Sequence, residues 1–288
     1  MIRWVQALSF VSCHRRHVSC LTLCGERNWV LGVALALLVI SLPAFGQQST
    51  TDEANLASLS GSVTWDGNLP TVDPFPVTKN PEVCGTQSKK SPRLIVNAGS
   101  KAVKNVVAWL EDVPAGFKTK PESPLLSQKG CEYVPHIVMV PVGGSLRMVS
   151  SDPILHNIHA TGAMRLNKPF PLKGVELTVR AKRAGIAKLN CDAGHAWTSA
   201  FVFVIEHPFY AVTGDDGRFE IKGVPPGEHT LVIWHEGWTV VSTTKAPDGS
   251  MKQYLFDQPK VLKVKANAEK KGSTAQKFKL SGKGLSEG

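Results

Sequence analysis

Several side chains suited to a soft metal fall in one stretch of this chain. His156 and Asn157 come shortly after Asp152-Pro153, and His159 stands just behind them. Cys191 lies about 35 residues further on, and His195 follows it within the tight run Cys191-Asp192-Ala193-Gly194-His195. One imidazole from a remote loop, with a cysteine and an imidazole from a single tight loop, is the His2Cys set of a trigonal copper site. A thiolate gives such an ion a soft, charge-donating bond. Two neutral imidazoles suit both of its oxidation states. A rigid frame keeps the geometry nearly constant between those states, so little reorganisation accompanies electron transfer. Asn157, beside His156, is placed to bond the Cys191 sulfur or to tie the two ligand loops together.

Each of these residues also has a plainer reading. A cysteine at position 191 could also be a buried, inert thiol, though two histidines in matching context favour the metal. His156 and His195, taken singly, are ordinary loop histidines, and His136, His207 and His235 sit beside strand ends as structural or surface residues. Cys191 with His195 is also a possible nucleophile–base pair. Nothing at recognisable spacing supplies the orienting third group or an oxyanion loop for that chemistry.

The elements that must hold these residues are strands. No long apolar pattern at helical spacing follows residue 46. Short alternating or β-rich runs recur instead, and they predict strands over 58–65, 93–96, 104–110, 136–140, 145–150, 175–180, 185–190, 201–205, 218–221, 229–234, 260–265 and 275–280. Turn marks separate them: Asp66-Gly67, Gly143-Gly144, Asp215-Asp216-Gly217 and Pro225-Pro226-Gly227. Many short strands at this spacing predict an all-β chain of sandwiches or Greek-key barrels and exclude a parallel α/β sheet.

The chain has 288 residues, six cysteines and a net charge of +10. Trp29 to Phe45 is a long apolar run, preceded by Arg27 and followed by the small-x-small pattern Ala44-Phe45-Gly46. It reads as a secretory signal peptide over 1–46 with a long basic region; an uncleaved anchor is the other reading. Cleavage leaves 29 basic and 22 acidic residues, a balance of +7, and three cysteines: Cys84, Cys131 and Cys191. The basic excess collects near the end of the chain, at Lys260, Lys263, Lys265, Lys270, Lys271, Lys277, Lys279 and Lys283. These alternate with apolar residues and read as the solvated face of the last strands. No nucleic-acid-binding motif accompanies them, so nucleic acid is not an expected partner.

Two resemblances organise the chain. The run from Val212 through Asp215-Asp216-Gly217-Arg218-Phe219 and Val224-Pro225-Pro226-Gly227 to Trp234 resembles the carboxypeptidase regulatory-like domain, a transthyretin-like β-sandwich, with His229 in the place of an aromatic residue. The same family's opening strands look like Gly61-Ser62-Val63 and Val106 to Leu110. The stretch holding Asp152-Pro153, His156-Asn157, His159, Cys191-Asp192, His195 and Trp197 resembles the cupredoxins, in their plastocyanin-like and methylamine-utilisation-type branch. The resemblances imply a cupredoxin-like Greek-key sandwich at 129–207, set into a regulatory-like sandwich whose first strands occupy 57–115 and whose remainder occupies 208–282.

By the cupredoxin resemblance, His156, Cys191 and His195 fall on metal positions. Thr198 stands where an axial methionine would be, and Cys191 and His195 are one residue further apart than in the branch pattern. Such a site is three-coordinate, or takes water, a backbone carbonyl, Thr198 or His159 as an extra ligand; alternation after His156 points His159 outward. With Cys191 reserved for metal, Cys84 and Cys131 are left as a disulfide pair, the other possibility being two free thiols. The expected function is an exported, periplasmic or secreted, mononuclear copper protein. It carries single electrons to a redox protein partner, is not an enzyme and has no membrane attachment after cleavage. The rival functions are a carbohydrate- or protein-binding scaffold with a decayed copper site, and copper storage or delivery.

Overall fold

The computed structural model describes residues 56–288 except 115, 246, 248–250 and 270–274, with backbone alone at 251 and 252. The expected leader over 1–46, its Cys13, Cys20 and Cys24, and Lys270 and Lys271 lie outside the described residues. The regular structure of the described chain is nearly all strand. In order it forms β1 (Ala57–Trp65), β2 (Val107–Leu110), β3 (Leu125–Lys129), β4 (Glu132–Val134), β5 (Ile137–Pro141), β6 (Ser145–Ser150), β7 (His156–Gly162), β8 (Leu166–Phe170), β9 (Glu176–Arg180) and β10 (Gly185–Asn190). Then come β11 (Ser199–Ile205), β12 (Tyr210–Val212), β13 (Arg218–Val224), β14 (Gly227–His235), β15 (Val240–Lys245), β16 (Met251–Phe256), β17 (Lys260–Ala268), β18 (Gln276–Ser281) and β19 (Gly284–Glu287). One four-residue helix, α1 (Pro81–Cys84), sits between β1 and β2. No helix of the described residues is long and apolar enough to cross a membrane.

Four sheets make two sandwiches. In the first, the sheet β13-β1-β18-β19 faces the sheet β12-β2-β14-β17 across a core that includes Leu59, Val63, Leu110, Phe219, Ile233 and Phe278. In the second, β5-β11-β10-β7-β8 faces β4-β3-β6-β9 across Leu126, Leu146, Met148, Ile158, Leu189 and Val202. The strands of the second sandwich fall between β2 and β12 of the first in the sequence. β1 shows the local rule: its residues alternate buried and half-buried, as a sheet with one covered face requires.

β11 breaks that alternation, and the break locates the joint between the sandwiches. All seven residues of β11 are buried. Ala200, Val202 and Val204 face the core of their own sandwich. Phe201, Phe203 and Ile205 pack with Ile137, Val107 and Trp234 in a separate cluster between the inner sheets. The Trp234 ring lies 4.9 Å from that of Phe203 and 5.2 Å from that of Phe201, both edge-on; each such pair adds about 0.5–1.5 kcal/mol to the burial of its area. A strand covered on both faces has to be apolar throughout, which is why Ser199–Ile205 reads as a continuous run.

The expected strand at 93–96 does not form. Arg93 is turned inward and 3% exposed, and only an isolated bridge joins Val96 to Val103. His156, expected in a loop, opens strand β7 instead, paired with Phe170 of β8. On β17 and β18, Lys263, Lys265, Lys277 and Lys279 are exposed while Val264, Ala266, Phe278 and Leu280 face inward.

Candidate metal centre

The site lies at one end of the second sandwich, where β7 and β10 pair antiparallel with Asn190 opposite His159. β7 begins with His156, and β10 ends just before Cys191. The loop from 191 to 198 then returns through His195 into β11. A cross-strand pairing and one short loop thus bring together residues about 35 apart in sequence.

His156 Nδ1, Cys191 Sγ and His195 Nδ1 form a triangle. The two nitrogens are 3.1 Å apart, and the sulfur is 3.8 Å from His156 and 3.5 Å from His195. A point equidistant from these three corners lies about 2.0 Å from each, within reach of metal–nitrogen bonds of about 2.0–2.1 Å and near the metal–sulfur bond of about 2.3 Å. His156 and His195 are fully buried and Cys191 is 2% exposed.

The partners of the remote nitrogens fix the tautomer of both rings. His156 Nε2 is 3.0 Å from Asp152 Oδ2. His195 Nε2 is 3.1 Å from Asn80 Oδ1, and the Asn80 amide nitrogen donates to Glu82, which fixes the oxygen as the face turned to His195. Both imidazoles therefore donate through Nε2–H and turn a free Nδ1 lone pair toward the other and toward Cys191. Two lone pairs and a sulfur facing one another are poorly matched as a packed core and well matched to a cation between them.

Burial lowers the pKa of both rings. It outweighs the Asp152 carboxylate at His156. At His195, burial and then the neighbouring His156 push the value down to about 4. Burial pushes the Cys191 thiol up, opposed by amide hydrogen bonds from Asn157 and Ala193. Bound metal requires two neutral imidazoles and a thiolate. The imidazoles are thus ready at neutral pH, and the thiol must lose a proton.

Asn157 acts mainly through its backbone. Its N–H points at the Cys191 sulfur at 3.4 Å, its side-chain oxygen accepts from the Asp192 N–H, and its amide nitrogen donates to Asn167. Neither suggested extra ligand joins the triangle. His159 is turned outward, with Nδ1 2.7 Å from the Asp192 carboxylate. Thr198 is buried, but its hydroxyl donates to the Cys131 carbonyl.

Cys84 and Cys131 form a disulfide, and Cys191 is a free, buried cysteine. The bridge stands beside the site. At its Cys131 end, the two-residue turn Gly130-Cys131 has positive φ at both positions, the requirement of a tight type I′ hairpin. The amides of both residues donate to Asp152, at 2.7 and 2.8 Å, and so fix the carboxylate that orients His156. At its Cys84 end, α1 begins after Asn80, which orients His195. Asp152 and Asn80 were not singled out in the sequence. Asp152-Pro153 enters there only as part of the motif ahead of His156, with no role of its own, and nothing local to Asn80 signals a partner 115 residues away.

No protein-family model matches the chain, and no curated protein matches it. Among solved structures, a purple cupredoxin from Nitrosopumilus maritimus is 20% identical over 28% of this chain and 98% of its own, with a TM-score of 0.26. A copper-containing nitrite reductase from Thermus scotoductus is 18% identical over 33% of this chain and 25% of its own, with a TM-score of 0.28. A Met→Ala mutant of amicyanin in its Cu(I) form is 17% identical over 34% of this chain and 98% of its own, with a TM-score of 0.25. None of the three is a carboxypeptidase regulatory-like domain. The likeness reaches about a third of the chain, and the case for a metal rests on the donor geometry.

Proposed function

We propose that His156, Cys191 and His195 hold one copper ion, and that the protein is an exported carrier passing single electrons to a protein partner. The observation that carries this reading is the donor triangle, with both imidazoles held in the ligating tautomer by Asp152 and Asn80. Bound there, the ion supplies a reversible one-electron couple. The chain's own residues do the rest. The Asn157 and Ala193 amides stabilise negative charge on the sulfur. Paired strands on either side of the ligands resist rearrangement when the charge at the centre changes.

A cleft of about 940 Å³ runs between residues 69–96 and the side of the site at Tyr133, Trp197 and Thr198. None of His156, Cys191 and His195 lines it, so an organic substrate in the cleft would not meet the ion. A disulfide together with the signal-like leader supports export to an oxidising compartment. The exposed lysines of β17 and β18 suit docking to an acidic partner. We assign the first sandwich to the regulatory-like resemblance, as the frame into which the metal-binding sandwich is set.

Adding Cu(II) to the purified protein should produce an intense thiolate-to-copper band in the visible, and Cys191→Ser should abolish it. A protein that binds no copper tightly, or binds it without that band, would sink the proposal.

A further inference from the structure

Thr198, which stands where an axial methionine would be, is engaged elsewhere. Close by is a buried polar side chain. Gln128 is 1% exposed, and neither its Nε2 nor its Oε1 has a hydrogen-bond partner. Among the described residues it is the one buried side chain left unpartnered at both polar atoms. A buried, unpaired amide costs the hydration of both groups, and an apolar residue of the same shape would avoid that cost. Its presence in a packed core calls for a partner.

The topology says where that partner lies. Gln128 on β3 is paired with Tyr133 on β4, so their side chains stand together on one face. The Tyr133 hydroxyl reaches the carbonyls of Asn157 and Asn190, the residues after His156 and before Cys191. On its other edge Gln128 is paired with Ser150 of β6, two residues before Asp152. The face that carries Gln128 therefore looks onto the seam where His156 and Cys191 meet. Its amide lies beside the Cys191 sulfur but completes no hydrogen bond there.

We infer that Gln128 belongs to the metal centre, its side-chain oxygen being the fourth and weakest donor to the ion. This rests on the copper reading of His156, Cys191 and His195. A glutamine oxygen is an accepted weak, long axial donor in such sites. Being harder than a thioether, it favours Cu(II) over Cu(I) and so lowers the reduction potential. It also gives the buried amide the partner it lacks.

The test compares the full-length protein with Gln128→Leu and Gln128→Met. Without metal, both variants should be at least as stable to denaturant as the parent, because an unpaired buried amide has been removed. With copper, both should show altered Cu(II) paramagnetic-resonance parameters and a raised midpoint potential, and Gln128→Leu should lose about tenfold in Cu(II) affinity. Unchanged resonance and potential would overturn the inference and leave the three-ligand reading standing. A lowered potential would overturn it too, since that is the sign for losing an N–H donor to the sulfur. Apoprotein variants that are less stable, or that do not fold, would mean the amide already has partners, which also overturns it. Absence of the thiolate band from the parent protein would remove the copper reading itself.

Discussion

At the scale of single residues, the site is a set of donors whose protons are already sorted. His156 and His195 are held below the ordinary histidine value by burial, and Cys191 is held above the ordinary thiol value by the same cause. At neutral pH the rings are therefore neutral and the thiol protonated. Binding copper should then release one proton, from Cys191, and none from the histidines. The sign follows: affinity rises with pH, about tenfold per unit from near neutrality up to the thiol's raised pKa, and levels off above it. On the acid side the slope steepens once His156 and then His195, near pH 4, take up protons. Copper titrations across a pH series check this, and a flat profile between pH 6.5 and 8.5 would contradict it. These three residues were legible in the sequence because each carries rare chemistry and two share a loop. Gln128 was not: a lone glutamine in a β-run has no chemical signature, and only its burial without a partner makes it conspicuous.

At the scale of elements, the β3–β4 turn and α1 work as one positioning device. The turn amides hold Asp152, Asp152 holds His156, and Asn80 ahead of α1 holds His195. The disulfide joins the two arms across 47 residues. Cys84, Cys131 and Trp197, beside His195, pack with Phe75 in a small cluster, backed by the half-buried Tyr254 and Phe256 of β16. Replacing both bridge cysteines by serine should thus do two things. Unfolding free energy should drop by up to about 4 kcal/mol, the loop-closure value for this separation. Copper affinity should drop as well, about tenfold, because the His195 support loosens. Denaturant titration and copper competition measure the two separately; a loss of stability with unchanged affinity would show that the bridge does not position the site. The sequence showed the bridge but not its use. It also showed the long alternating strands better than the short ones. β4 and β12 are three residues each, too brief for a period of two to declare itself. The residues of β15 are exposed throughout, so no buried face is marked in its sequence.

At the scale of the whole molecule, the two sandwiches share more than an apolar seam. Glu236, just after β14 of the first sandwich, is 2% exposed and meets Arg93 at 2.5 Å. Its other oxygen contacts His136, the residue before β5 of the second sandwich, and His136 in turn meets the Ser199 carbonyl at the start of β11. Arg93 also donates to the Gly237 carbonyl, and its guanidinium lies 3.6 Å from the centre of the Phe256 ring. This buried knot ties the connector, both inner sheets and the β15–β16 hairpin together. Removing one partner leaves an uncompensated charge in the interior, which costs about 3–5 kcal/mol, far more than an exposed ion pair contributes. Glu236→Ala should therefore be among the most destabilising single changes outside the cores, though it lies in neither sandwich core and touches no metal ligand. The parent should unfold in one step, the copper band and the far-ultraviolet signal disappearing together, because the shared seam and this knot couple the sandwiches. In Glu236→Ala the coupling weakens, and the two signals should separate along the denaturant axis. Coincident, undisplaced transitions in the variant would mean that the apolar cluster around Phe201, Phe203 and Trp234 joins the two halves unaided.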